Sequence, residues 1–226
     1  MSGFKNSELN EIYYNDLINK IVDSVLTCCE NMLDDLIRVN RKIPNHEEKI
    51  RTHLCENYLN NDEVRIRIGL DKVPVRFIIE SPVNYNSEED THRGRVDIKV
   101  VGENWLFRNI NDYFTIECKR IDGSQELNRK FIDCGVCRFA AEPILYPSYN
   151  KKNFMFGFLV KDIDVNSNIN LINDIQNETP CLTVNQEFIQ TECTINNSYI
   201  YISKYALKEN TLELKHLFYN FSQIVV

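Results

Sequence analysis

Apolar and polar residues alternate along two neighbouring segments, Arg95-Val-Asp-Ile-Lys-Val-Val101 and Tyr113-Phe-Thr-Ile-Glu-Cys-Lys-Arg-Ile121. Strand alternation sends successive side chains to opposite faces, so Val96, Ile98 and Val100 are expected behind Arg95, Asp97 and Lys99. Glu117 and Lys119 likewise oppose Phe114, Ile116 and Cys118. The intervening Gly102–Asp112 reads as a short loop, which makes the two strands antiparallel neighbours. Val75-Arg-Phe-Ile-Ile-Glu80 reads as an earlier strand stopped by Ser81-Pro82, because proline cannot donate to a central ladder. Phe154-Met-Phe-Gly-Phe-Leu-Val160 is a continuous apolar run, expected as a buried strand in which Gly157 permits close backbone approach.

Helical spacing governs other segments. From Ser7 to about Val39, Leu9, Ile12, Leu17, Ile21, Val25, Leu26, Met32, Leu33 and Leu36 make a stripe too broad to leave in water. That stripe must pack on the rest of the chain or join two copies in a homodimer. Pro44-Asn45-His-Glu-Glu48 reads as a helix start, with Asn45 as N-cap and Glu48 closing a capping box. Glu47, Ile50, Leu54 and Tyr58 then recur at helical intervals, which puts Glu47 on the inward stripe. Past Gly123-Ser124 a helix is expected from Gln125 to about Glu142. Leu127, Phe131, Gly135 and Phe139 form one stripe and Lys130, Cys134 and Arg138 the next, so Lys130 and Arg138 should project from one side. Nearer the C-terminus, 166–176 reads as loop, Tyr199-Ile-Tyr-Ile-Ser203 as a strand, and Thr211–Phe221 as a further strand or sheet edge.

The 226 residues, 43% hydrophobic, suffice for one domain over 42–226 preceded by a helical arm over 1–41. No stretch of about 20 apolar residues is present and the first residues lack a signal-peptide core, so a cytoplasmic protein with no membrane partner is expected. The only C-x-x-C, Cys134-Gly-Val-Cys137, has no second pair at zinc spacing, and all eight cysteines are expected as small core or helix residues. The four histidines show no metal-ligand spacing, and no phosphate loop or nucleophile elbow occurs. Net charge is −7, yet residues 91–140 carry nine Lys/Arg against seven Asp/Glu while residues 1–62 carry seven against eleven. The acidity is thus concentrated away from the two alternating strands, although affinity for a polyanion is expected to be weak at physiological salt.

The chemistry sits on those strands. Asp97 and Glu117 converge if the strands pair, and a hard cation with oxygen ligands is the simplest way to keep two partly buried carboxylates ionised. Lys119 would stand beside that cation, where its ammonium can orient a water and stabilise negative charge on a phosphoryl oxygen. The alternative is a solvated strand face of alternating charge. For Glu47 the alternative is an acid placed only to suit the helix N-terminus.

The order Asp97…Glu117-Cys118-Lys119, following a helix that carries Glu47, resembles the PD-(D/E)XK nuclease superfamily. The resemblance covers roughly Asn45 to Val160 and rests on few residues, with Val96 standing where the family name has proline. Leu127-Asn-Arg-Lys-Phe-Ile132, Gly135-Val-Cys-Arg-Phe139 and Met155-Phe-Gly-Phe158 are similar to uncharacterised bacterial members. The resemblance implies an α/β, restriction-endonuclease-like fold, a mixed central sheet flanked by helices. It also implies that Asp97, Glu117 and the backbone carbonyl of Cys118 bind Mg²⁺ or Mn²⁺, and that Lys119 orients or helps deprotonate the attacking water. Glu47, with Glu48 second, would act through a water or a second metal, and in-line attack would leave a 3′-hydroxyl and a 5′-phosphate. Lys130, Arg138, Arg129 and Gln125 are the implied phosphate contacts, the alternative being cations that keep a helix solvated. His216 resembles a position in the same relatives, although a core or surface histidine is the simpler reading. The expected function is metal-dependent hydrolysis of nucleic acid, DNA ahead of RNA, in bacterial defence or restriction. Its alternative is an inactive nucleic-acid-binding or assembly protein that retains the fold.

Overall fold

A computed structural model describes residues 7–102, 113–146, 152–191 and 197–226. Seven strands form one mixed sheet in the order β1-β2-β3-β4-β7-β6-β5: β1 (Val75–Asn86), β2 (Thr91–Gly102), β3 (Tyr113–Ile121), β4 (Lys152–Leu159), β5 (Val184–Gln190), β6 (Ser198–Ala206) and β7 (Thr211–Asn220). β3, β4 and β7 run parallel in the centre, and antiparallel strands flank them on both sides. Helices α1 (Ser7–Arg38) and α2 (Glu47–Leu54, continued by a π-helical turn Cys55–Leu59) cover one face, with α3 (Asp62–Arg67) beside them. The other face carries α6 (Val165–Glu178) and a helix made of α4 (Gln125–Phe131), a π-helical turn (Ile132–Val136) and α5 (Cys137–Ala140). The chain is thus α/β with helices on both faces, and no described helix is long and apolar enough to cross a membrane.

The stripe of α1 is covered by this chain's own sheet: Leu17, Ile21, Val25, Leu26, Met32, Leu33 and Leu36 are buried with Phe114, Phe154 and Phe156. Ile12 instead remains 64% exposed, and the side chain of Leu9 lies outside the described residues. Residues 103–112 of the expected β2–β3 loop also lie outside them, but the antiparallel pairing itself is present, with Ile98 opposite Ile116. Gly157 lets β4 meet β7 closely, since a Cβ there would stand 2.3 Å from a Phe218 ring carbon.

Several expectations fail for identifiable reasons. β1 does not stop at Ser81-Pro82 but runs to Asn86, because it is an edge strand and Pro82 needs no ladder donor on its open side. Val96 does not share the side of Ile98 and Val100. Beyond Glu80 (φ 52°) and Asp97 the β1–β2 ribbon changes face, so Val75, Phe77, Ile98 and Val100 join the first core while Val83 and Val96 join the second. Residues 166–176 are helical: Asp164 caps α6 through the Asn166 and Ser167 amides, and Val165, Ile169, Ile172 and Ile175 bury a stripe that overrides asparagine's poor propensity. β7 is a central strand rather than an edge, and Leu217-Phe218-Tyr219 is the continuous apolar run such a strand requires. Among the cysteines, Cys181 is an exposed turn residue, neither core nor helix, and Cys193 lies outside the described residues.

Candidate active site

The C-terminal residues place α2. Ile43 pairs with Val225, its amide donating to Ile224 O at 2.7 Å, and the Asn45 amide donates to Val226 O at 2.6 Å. Asn45 is not the N-cap, because its carbonyl and side-chain oxygens accept from Arg120 Nη1 at 2.7 and 2.9 Å. His46 takes that position without a side-chain bond, and the first turn is left to the acids Glu47 and Glu48. The tie to Arg120 fixes Glu47 over β3, where its Oε2 accepts from the Arg120 amide at 3.3 Å.

Lys119 stands at the centre of the resulting site. Its Nζ lies 2.7 Å from Glu117 Oε1, 2.7 Å from the Cys118 carbonyl, 3.1 Å from Glu47 Oε1 and 3.8 Å from Asp97 Oδ2. One ammonium thus faces all four oxygen donors that the sequence groups around a cation. Burial opposes its charge, but Glu117, Glu47 and Asp97 outweigh burial and hold the lysine above its ordinary range. Gly135 makes room for Met155 beside the lysine: a Cβ there would come within 2.4 Å of Met155 Cε, while Lys119 Cγ would stand at an ordinary contact distance of 3.6 Å.

Glu117 is fully buried, and burial followed by the Asp97 charge pushes its carboxyl up to about 7 against the pull of Lys119 and Arg138. Its Oε2 has no hydrogen-bond partner among the described residues. Arg138 Nη1 reaches Glu117 Oε1 at 3.0 Å and also donates to the Tyr146 hydroxyl, which itself donates to Arg95 O at 2.7 Å. Asp97 is fully engaged: Arg51 Nη1 holds Oδ1, and the Cys118 amide donates to Oδ2 at 2.8 Å. The same Arg51 donates through Nη2 to Glu80 Oε1 at 2.6 Å, and Arg95 reaches Glu80 Oε2 at 3.3 Å. The face change of the β1–β2 ribbon is what allows this, since Asp97 and Glu80 sit where α2 approaches from one side and Lys119 from the other.

A cavity of about 540 Å³ opens over these groups. Its lining holds six Lys/Arg (Arg51, Arg93, Arg95, Lys119, Arg120, Arg138) and five carboxylates (Glu47, Glu48, Glu80, Asp97, Glu117), a local cationic surplus in an acidic chain. Among the described residues no group of three or more His, Cys, Asp or Glu side chains stands ready to hold a metal ion. The acids are instead interleaved with Lys119 and Arg51, which occupy the oxygens such a group would offer.

Sequence reasoning brings together Glu47, Asp97, Glu117, the Cys118 carbonyl, Lys119 and Arg138, and the structure places all of them here, with Glu48 on the exposed rim. It does not bring Lys130, Arg129 or Gln125 here. Lys130 pairs with Glu126 at 2.7 Å and Arg129 stands 3.9 Å from Glu178, both in solvent, and Gln125 is exposed at the start of α4. The π-helical turn between Lys130 and Arg138 breaks the spacing that put them on one side. His216 is also elsewhere, buried against Phe188 and bonded to Ser203 Oγ at 2.6 Å. Arg51, Glu80, Arg120 and Tyr146 were not foreseen. Arg51 alone carried a signal, four residues past Glu47 and next to the buried Ile50. The chain matches no protein-family model, no curated protein and no solved structure.

Proposed function

We propose that the chain is a metal-dependent nuclease of the PD-(D/E)XK, restriction-endonuclease-like type, hydrolysing phosphodiester bonds, with DNA the first substrate to test. The observation that carries this reading is the Lys119 ammonium, which stands in for a cation among oxygens of Glu47, Asp97, Glu117 and Cys118 beside the unpartnered Glu117 Oε2. Carboxylates and a carbonyl are the donors that hard cations such as Mg²⁺ or Mn²⁺ prefer. Bound there, a divalent cation would supply Lewis-acid charge to a phosphoryl oxygen and make a water more acidic.

The chain's own side chains have separate tasks. Lys119, kept charged by its acids, donates hydrogen bonds and places positive charge where the pentavalent phosphorus bears its negative oxygens. This favours orienting the water over deprotonating it. Arg138, held by Tyr146, and the rim cations Arg93 and Arg95 offer guanidinium forks to neighbouring phosphates. Glu47 sets the position of the lysine head.

Cleavage of linear and circular duplex, single-stranded DNA and RNA by wild type and Lys119→Ala, with Mg²⁺, Mn²⁺ or EDTA, tests the reading. Metal-dependent cutting lost in the variant is the expected result, and a folded wild type that cuts nothing would overturn it. Arg51 supports a second reading, an inactive binding module, because its guanidinium already neutralises Asp97 and Glu80. That reading expects nucleic-acid binding that survives EDTA, with no cleavage.

A further inference from the structure

Two thiols from separate elements touch away from the candidate site. Cys137 opens α5, Cys181 lies in the turn between α6 and β5, and their sulfurs are 3.5 Å apart, which is van der Waals contact across 44 residues of chain. Both ends are anchored. The turn is closed by the Leu182 amide on Thr179 O at 3.1 Å, with Pro180 in its favoured second position, and Thr179 Oγ1 donates to Ile175 O at 2.8 Å. The helix is packed through Phe139 and Val136, both fully buried.

The pair is also accessible. Cys181 is exposed and lines an open cavity of about 460 Å³ between Ala140 and Lys208, and Cys137 is half-buried beneath it. Cys28, Cys29, Cys55 and Cys118 are by contrast fully buried, and burial pushes each thiol above its ordinary range. An aqueous oxidant therefore meets the exposed Cys181 and Cys134 before the core thiols, and Cys181 already has the Cys137 sulfur at contact distance.

We propose that Cys137 and Cys181 form a peroxide-sensitive dithiol that closes reversibly to a disulfide tying α5 to the α6–β5 turn. The Cys181 thiolate attacks one peroxide oxygen, so that an S–O bond forms, the O–O bond breaks and hydroxide leaves, taking up a proton to become water. The Cys137 sulfur then attacks the Cys181 sulfur, the S–S bond forms, the S–O bond breaks, and the second water departs with the Cys137 thiol proton. Two thiols lose two electrons and one peroxide gains them. Small-molecule thiols reverse the step by exchange. The inference does not depend on the nuclease reading.

The test exposes the full chain to stoichiometric hydrogen peroxide, traps remaining thiols by alkylation and maps peptides by mass. A Cys137–Cys181 peptide lighter by two hydrogen masses, lost on dithiothreitol treatment, is the expected product, with the four core cysteines unmodified until the chain is unfolded. Cys181→Ser and Cys137→Ser should each abolish it, while Cys134→Ser should leave it. A link through Cys134 or Cys193, a bond between two chains, or sulfinic acid at Cys181 with Cys137 still free would overturn the proposal.

Discussion

Two buried polar clusters lie on this sheet, and they accommodate buried polarity in opposite ways. Between α6, β6 and β7, His216 meets Ser203 at 2.6 Å, Ser203 meets the Tyr205 hydroxyl at 3.0 Å, and Tyr205 donates to Gln176 at 2.8 Å. Its members form one closed hydrogen-bonded chain, held against the rings of Phe131 and Phe188. Between α2, β2 and β3 the members are charged, each shared among several partners, and open to a cavity. Among the described residues the neutral cluster keeps one buried atom without a partner, His216 Nδ1, and the charged cluster keeps two, Arg51 Nε and Glu117 Oε2, but only the charged cluster borders the cavity. A closed neutral chain fixes the packing of β6 on α6. Surplus acceptor capacity beside open space is where a ligand gains most, which is why the candidate site is placed at the second cluster.

Removing the central charge should break the comparison most sharply. Lys119→Ala is expected to lower cleavage by at least about 10²-fold. It leaves Glu117 and Asp97 facing each other, so urea unfolding should show a loss of roughly 3 kcal/mol. Ser203→Ala in the neutral cluster should cost about 1–2 kcal/mol and leave cleavage unchanged. Equal cleavage by wild type and Lys119→Ala would erase the functional difference between the clusters.

Glu117→Gln tests the other half of the charged site and should separate stability from activity. The Glu117 carboxyl is pushed from 4.5 up to about 7 by burial and Asp97, so the folded chain holds a proton that the unfolded chain has released between those values. Its contribution is therefore favourable at low pH and is lost as pH rises through that window. Above about pH 8 the glutamine variant should be more stable than wild type by on the order of 2 kcal/mol while cutting nothing, and below about pH 4.5 the gain should vanish. A variant less stable than wild type at every pH would show that the ion pairs to Lys119 and Arg138 outweigh the burial of the carboxylate.

His216 should produce the opposite slope. Burial holds its imidazole well below its ordinary value of 6.5, so the neutral ring's stability is present above that value and lost as pH falls beneath it. Wild type should lose about 1.4 kcal/mol per pH unit below this point, and His216→Gln should remove that component. Between about pH 5 and pH 6.5 the two clusters pull stability in opposite directions, and paired urea titrations of the two variants resolve them. A wild-type curve unaltered by His216→Gln would mean that the imidazole takes up its proton inside the fold.

Legibility in the sequence follows the same division. Period-two alternation located β2, β3 and the carriers of Asp97, Glu117 and Lys119, because strand parity is local. Helical spacing located α1 and the inward Glu47 for the same reason. Glu80 was invisible, and Arg51 showed only its helical spacing from Glu47, because their role depends on the face change at Asp97, which arises where the edge hairpin twists away from the sheet. β7 was legible as a strand but its central place was not, because strand order is a property of the whole sheet, and α6 was missed because its asparagines mask a buried isoleucine stripe.

The smallest expected effect falls where a local rule misled. Lys130 and Arg138 differ by eight positions, near two helical turns, yet the π-helical turn sends Arg138 to Glu117 and leaves Lys130 beside Glu126. Lys130→Ala and Arg129→Ala should each change stability by less than about 0.5 kcal/mol, since exposed ion pairs contribute little. Their cleavage rates should stay within about twofold of wild type, while Arg138→Ala, which also removes a donor to the Tyr146 hydroxyl, should lose roughly tenfold or more. A large loss in Lys130→Ala with a normal Arg138→Ala would place the substrate along the outer face of α4 instead of over the acids. The π-helical turn would then separate two surfaces whose roles are the reverse of those assigned here.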